Sequence, residues 1–248
     1  MNPCDKALGK GVVHFANEML KDRNDSLANK RCIILGSGKI AQSVASTLLH
    51  FGAIPLTLSD ASGHIYEPDG IDEAKLRTLA KIKSERGALL GRYIIASTTA
   101  KFNDPQRIVD IPCDLCFPCA SMNDLTESLV NALADKGCSG IIEGAFSTVT
   151  PEARKVLKKR GLMYGPQIMT STGPAIQQSS VISNRAPVAF DSSFPDMDEK
   201  RFAEEVARIH SDVKAAAQEF NSRGDLFAGA NILGFLRVAN AMMNQGII

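Results

Sequence analysis

Arg31-Cys32-Ile33-Ile34-Leu35-Gly36-Ser37-Gly38-Lys39-Ile40-Ala41-Gln42-Ser43-Val44-Ala45 is the stretch on which the reading of this chain turns. A short apolar run enters a glycine turn, and apolar residues then recur at helical spacing, so strand, turn and helix follow one another without a break. Gly36 permits a tight turn, Gly38 lets the backbone come close to a diphosphate, and Ala41 allows the helix to pack on the strand. The helix start offers unpaired amides and the positive end of a dipole. A lone Gly-x-Gly-x-x-Ala is common in turns, but here a second strand, Ile54–Leu58, leads to Asp60, placed where a carboxylate can hold an adenosine ribose. The stretch predicts a dinucleotide site with Gly36, Ser37, Gly38, Lys39 and Ile40 at the phosphates and Asp60 at the ribose. Asp60 favours NAD and repels a 2′-phosphate. Lys83 and Arg86, a little further on, are cations that could pair with one, so the cofactor reads as NADP or NAD.

Outward from the turn, short apolar runs alternate with amphipathic stretches, the mark of a parallel sheet with crossover helices. Strands are expected at Cys32–Leu35, Ile54–Leu58, Tyr93–Ala96, Asp114–Phe117, Gly140–Glu143 and Leu162–Tyr164. Helices are expected near Lys39–His50, Asp72–Ser84, Asn123–Asp135 and Thr150–Lys159. The fold class is α/β, a Rossmann-like, doubly wound, mostly parallel sheet with flanking N- and C-terminal helices. The opening helix, Asp5–Arg23, carries Val12, Val13, Phe15, Ala16, Met19 and Leu20 as an apolar stripe. Helices are also expected at Asp198–Phe220 and Phe227–Met243, beyond a stretch rich in Ser, Pro and Asp at Ala186–Pro195. The chain is expected to form a single domain over 1–248, with the core at 31–185 and C-terminal helices at 196–248.

Bulk composition removes some function classes. With 28 Lys plus Arg against 27 Asp plus Glu in 248 residues, no global field exists to hold a nucleic acid or an anionic membrane surface. The apolar stretches read as strand-sized, so no membrane span is expected. The start lacks the apolar core of a signal peptide, which suggests the cytoplasm or an organelle lumen. Among 6 cysteines, Cys113-x-x-Cys116-x-x-Cys119 has a spacing that invites a metal. On a buried strand, however, positions three apart face opposite sides, so these read as buried thiols and no metal site is expected. His14, His50, His64 and His210 are the 4 histidines. His14 and His50 fall on helix patterns and read as packing or surface residues, and His64 reads as a loop residue that could face an adenosine.

The order of motifs resembles the C-terminal, NAD(P)-binding half of the hexameric NADP-dependent glutamate dehydrogenases, within the Glu/Leu/Phe/Val dehydrogenase family. The resemblance rests on Gly11-Val12-Val13-His14-Phe15-Ala16-Asn17-Glu18-Met19-Leu20, the Gly36–Gln42 turn and Leu58-Ser59-Asp60-Ala61-Ser62-Gly63. Pro118-Cys119-Ala120-Ser121-Met122-Asn123, Glu143-Gly144-Ala145 and Ala228-Gly229-Ala230-Asn231-Ile232-Leu233-Gly234-Phe235 continue it in the same order. It implies that Ala120 and Asn123 join the cofactor site, and that Phe227–Met243 packs near an interdomain hinge. It also implies that the substrate domain, with its catalytic lysines, would lie N-terminal to this region and is absent here.

Departures from the family pattern gather on the nicotinamide and substrate side. Leu8 stands where the resemblance implies a threonine, Phe146 where it implies an asparagine, and Gln178 where it implies a serine. Gln167-Ile168-Met169-Thr170-Ser171-Thr172-Gly173-Pro174 lacks a lysine, an asparagine and a glycine of the matching motif, and Ala61 replaces a serine beside the 2′-phosphate. Each lost polar group removes transition-state stabilisation. No catalytic residue is therefore assigned. The expected function is a catalytically silent, glutamate-dehydrogenase-like NAD(P)-binding subunit of a homo- or hetero-oligomer. The alternatives are an oxidoreductase completed by a partner chain carrying the substrate domain, or a different dehydrogenase with a remodelled pocket.

Overall fold

The computed structural model describes residues 3–183 and 198–246, so the Ala186–Pro195 stretch lies outside the described residues. Elements are numbered in chain order. The main sheet contains β1 (Arg31–Leu35), β2 (Ile54–Pro55), β6 (Leu115–Pro118), β7 (Gly140–Ile142) and β8 (Met163–Gly165). Its order is β2-β1-β6-β7-β8 and every pairing is parallel. Along each strand alternate residues face opposite layers. Ile34, Phe117 and Ile142 pack with Val12, Phe15, Phe202 and Val206. Ile33, Cys116 and Ile141 pack with Val130, Leu133, Ala153 and Leu157 on the other face. Both faces are covered by helices, as expected of a doubly wound sheet.

On the first face lie α1 (Pro3–Lys21), α2 (Lys39–His50) and α8 (Glu199–Glu219); on the second, α4 (Glu127–Asp135) and α5 (Pro151–Arg160). The helix ends are written in the sequence. Thr150 accepts a hydrogen bond from the Ala153 amide, Pro151 opens α5, and Gly161 closes it in the left-handed conformation. Asp72 caps α3 (Glu73–Ser84), Asp198 caps α8 and Asp225 caps α9 (Leu226–Asn244) in the same way. Between β8 and α8 come α6 (Gln167–Thr170) and α7 (Gly173–Ser183), which periodicity did not reveal. A Cβ on Gly173 would sit 1.9 Å from the Ala7 carbonyl oxygen, so α7 starts in contact with the α1 backbone. Ser43 of α2 donates to the Lys6 carbonyl at 2.9 Å, tying α1 to α2 as well.

Several expectations are corrected. Ile54–Leu58 is two strands: the Ile54 and Leu56 amides bond to β1 and the residue before it at 2.8 Å, and from Thr57 on the chain pairs with Gly63–Tyr66 instead. There the chain turns into a separate antiparallel sheet of β3 (Thr57–Asp60), β4 (Gly63–Tyr66) and β5 (Lys101–Asn103). Tyr93–Ala96 is not a strand but part of a 3₁₀ turn, Leu90–Ile95. Only Tyr93 of the apolar run is drawn inward, where its hydroxyl donates to Glu67 at 2.9 Å, while Ile95 is 90% exposed. The helix expected from Asn123 starts at Glu127, since Asn123 has φ 58° and belongs to the loop. His64 lies in β4, fully buried, rather than in a loop.

Cys113, Cys116 and Cys119 are buried, as expected, but Cys113 and Cys116 share one layer and only Cys119 faces the other, because Cys113 precedes the strand proper. Burial pushes the Cys116 and Cys119 thiols well up. The apolar stretches are also not all strand-sized: α9 is long and apolar enough to cross a membrane by length and composition. Its two glycines and its asparagines disguise that length in the sequence. In the fold α9 returns along α8, with Gly229 and Ala230 buried.

Candidate functional site

The parallel sheet reverses direction of winding between β1 and β6, and such a switch point opens a crevice at the carboxyl ends of the strands. Gly36 closes β1 there with φ +116°, and a Cβ on it would lie 2.8 Å from the Cys119 carbonyl oxygen of the neighbouring loop. Only glycine satisfies both demands. Its amide donates to the Ser59 hydroxyl at 2.8 Å, and its carbonyl accepts from the Ser59 amide at 3.0 Å. One turn deeper, the Thr57 hydroxyl accepts from the Ile34 amide and donates to the Ile34 carbonyl, both at 3.1 Å. These hydroxyls replace the ladder that β3 gives up when it leaves the sheet, and they hold the turn in place.

Gly38 is the N-cap of α2 and supplies no side chain to cap it. A Cβ there would meet nothing within 4 Å, so the space in front of the helix start is open. The first amides of α2, from Lys39 onward, point into that space, which is the arrangement that receives a phosphate. Ser37 is buried, with its carbonyl accepting from the Gln42 amide group at 2.9 Å, while Gly38 and Lys39 are exposed and Ile40 is half-buried.

Asp60 and Lys83, which the sequence set against each other, form one unit: Lys83 Nζ lies 3.2 Å from Asp60 Oδ2. The Leu90 amide donates to the same oxygen at 2.9 Å, and the Ser62 amide and hydroxyl donate to Oδ1 at 3.0 and 2.5 Å. Burial raises the Asp60 pKa, but the Ser62 and Leu90 hydrogen bonds and Lys83 outweigh it and hold the carboxyl below its usual range. Every ordinary acceptor direction of Asp60 is thus occupied within the protein. Arg86 is exposed and has no partner among the described residues. The role of Ser62 was missed, although Asp-x-Ser after a strand is a sequence signature of a side-chain-capped turn.

Ala120 and Asn123 are exposed in the loop after β6, at the same end of the sheet as Gly36. The Asn123 amide donates to the Ser147 carbonyl at 3.0 Å, and Asp124 accepts from the Ser121 amide at 2.7 Å. Beside them the Phe146 ring is 63% exposed. Below this rim Glu143, 2% exposed, accepts from the Thr148 hydroxyl, the Val149 amide, the Tyr164 hydroxyl and the Gln167 amide at 2.8–3.0 Å. Four neutral donors make it a fastening for the loops after β7 and β8. His14 and His210 lie elsewhere, His14 paired with Glu199 at 2.8 Å and His210 edge-on against Phe15, while His64 stands opposite Ser59 in the β3–β4 pair with its Nδ1 3.0 Å from the Asp104 carbonyl.

The profile described as Glutamate/Leucine/Phenylalanine/Valine dehydrogenase matches residues 4–246. The chain belongs to this family. The NADP-specific glutamate dehydrogenase of Helicobacter pylori strain J99 is 34% identical over 252 residues, covering 98% of this chain and 55% of its own length. The NADP-specific enzyme of Chlorella sorokiniana is 32% identical, with 98% and 46% covered. Glutamate dehydrogenase 2 of Plasmodium falciparum superposes with a TM-score of 0.88 at 32% identity, over 100% of this chain and 54% of that one. This family member therefore spans about half the length of the curated relatives it matches. It has the fold and position of their C-terminal NAD(P)-binding half.

Proposed function

We propose that this chain is a nucleotide-holding member of the glutamate dehydrogenase family that binds NADP at the β1–α2 turn and does not itself carry out hydride transfer. The observation that carries the binding half of the reading is the uncapped start of α2, with open space in front of Gly38. NADP is preferred over NAD on two grounds. Asp60 is already occupied by four internal donors, which leaves it poorly placed to take a ribose diol. Lys83 balances the Asp60 charge, and Arg86, three residues beyond Lys83, is exposed and has no partner among the described residues, so a cation remains for a 2′-phosphate. The names of the NADP-specific relatives point the same way.

The silent half of the reading rests on the rim. Phe146 presents an exposed ring where the family resemblance implies an amide, and Leu8, Ile168 and Gln178 replace further polar groups. Loss of several such groups together costs a few kcal/mol each in transition-state stabilisation, on the order of what separates an enzyme from a binding protein. The exposed apolar face of α9, with Phe235, Val238 and Met243 at 72%, 61% and 62% exposure, supports contact with a further protein surface. A second reading, an oxidoreductase completed by a substrate domain on a partner chain, is favoured only by the intact phosphate turn.

Calorimetric titration with NADP and NAD, repeated on Gly38→Asp, tests the binding half. Micromolar NADP binding that Gly38→Asp abolishes supports it, and no heat with either nucleotide refutes it. Oxidation of NADPH by 2-oxoglutarate and ammonia, in the presence of any co-purifying chain, would replace the silent reading with the second.

A further inference from the structure

A second cavity lies away from the phosphate turn. It is a cleft of about 870 Å³ at the opposite end of the sheet, within the size range of small-molecule sites. Its walls are the end of α1, the second half of α5 with the start of β8, and the α8–α9 turn. Gly161, which ends α5 just before β8, and Arg23, just past the end of α1, both line it, so it opens beside the amino ends of the strands. Met19, Leu157, Met163 and Leu226 form an apolar floor, and Tyr164 and Phe227 stand on the wall.

Charge sets this cleft apart. Six cationic side chains line it, Arg23, Arg154, Lys155, Lys158, Lys214 and Arg223, against the carboxylates of Asp22 and Asp225. The local excess of four positive charges exceeds the net +1 of the whole chain. Both carboxylates are already committed. Asp22 accepts from Lys214 at 2.5 Å, and Asp225 caps α9 through the Ala228 amide at 3.0 Å and lies 3.4 Å from Lys158. Lys155 and Arg223 have no ion-pair or hydrogen-bond partner among the described residues. Arg154 has its guanidinium 4.4 Å from the Phe227 ring centroid and meets the Tyr164 hydroxyl on the same wall. Unpaired like charges gathered round one hollow repel one another unless an anion joins them.

We propose that this cleft is a second ligand site, taking a small, multiply charged anion of the organic phosphate class. Three guanidinium groups suit phosphate oxygens, which they bind in pairs, and the lysines add charge without geometric demand. The apolar floor and the Phe227 and Tyr164 rings would receive the organic part of such a ligand. The site shares no residue with the turn at Gly36–Lys39, so the two sites are independent in structure and in test.

The test uses the full chain and inorganic tripolyphosphate as probe, by calorimetry at low ionic strength, with citrate and an oligo-glutamate peptide as comparison anions. Tripolyphosphate is expected to bind, to bind more weakly as salt is added, and to bind at least about tenfold more weakly to the double variant Lys155→Glu/Arg223→Glu. Gly38→Asp and saturating NADP are expected to leave that binding unchanged. Both altered residues are exposed, and an unchanged far-ultraviolet circular dichroism spectrum and melting midpoint would exclude unfolding as the cause. Absence of tripolyphosphate binding, binding that the double variant does not weaken, or displacement by NADP each overturns the proposal. Stronger binding of citrate or of the peptide overturns the phosphate assignment.

Discussion

Replacing Gly36 and Gly38 separately by alanine separates what the turn does for the fold from what it does for a ligand. At Gly36, φ of +116° is a conformation alanine adopts only under strain, and the new methyl would meet the Cys119 carbonyl at 2.8 Å. Neither partner can rotate away, because both are backbone and the Cys119 amide is itself bonded to the Leu35 carbonyl at 2.7 Å. Backbone strain of ~1–3 kcal/mol together with a weakened hydrogen bond of about 1 kcal/mol sums to roughly 3 kcal/mol, a fall of about 6–12 °C in melting midpoint for a chain this size. At Gly38 the backbone is extended, with φ −72° and ψ −174°, and nothing lies within 4 Å of a Cβ. Gly38→Ala is therefore expected to change stability by less than about 1 kcal/mol and to weaken NADP on the order of tenfold, since the methyl stands in the approach to the α2 amides. Thermal unfolding followed by circular dichroism and NADP titration read the two effects. A Gly36→Ala chain melting within about 2 °C of the parent would refute the geometric argument. So would a Gly38→Ala chain destabilised as much as Gly36→Ala.

Three further outcomes are expected. Glu67 is fully buried and takes bonds from Tyr93, Ser97, Thr99 and Lys75. Glu67→Ala should cost about 3–5 kcal/mol in urea denaturation and Glu67→Gln less, because the amide oxygen still accepts. Burial holds His14, His64 and His210 below the ordinary histidine range, so the unfolded chain takes up protons first as pH falls; the melting midpoint should drop from pH 7.5 toward 5.5, and a flat profile across that window would contradict it. Phe146→Asn removes a mostly exposed ring, so stability should move by less than about 0.5 kcal/mol while NADP affinity holds or improves, and a large loss of stability would show that the ring is packed.

The parts of this protein that the sequence made legible are those whose causes are local. The glycine turn, the caps at Thr150 and Asp198 and the two-sided apolar strands each carry their reason within a few residues. Tyr93–Ala96 departs from the strand that its apolar run suggests because a distant buried acceptor, Glu67, draws in only Tyr93. Asp60 and Lys83 each carry a local cue, but their ion pair spans 23 positions and depends on how α3 is placed relative to β3. The basic cleft left no local signature at all. Its cations come from four separated segments, and each alone resembles an ordinary solvated charge.

The seat of α1 has a mechanical consequence. With the Ala7 carbonyl against Gly173 and the Lys6 carbonyl bonded to Ser43, its first turns can neither roll nor slide without disturbing two other helices at once. A displacement of α1 there would break the Ser43 contact with α2, whose start is the place proposed for a phosphate.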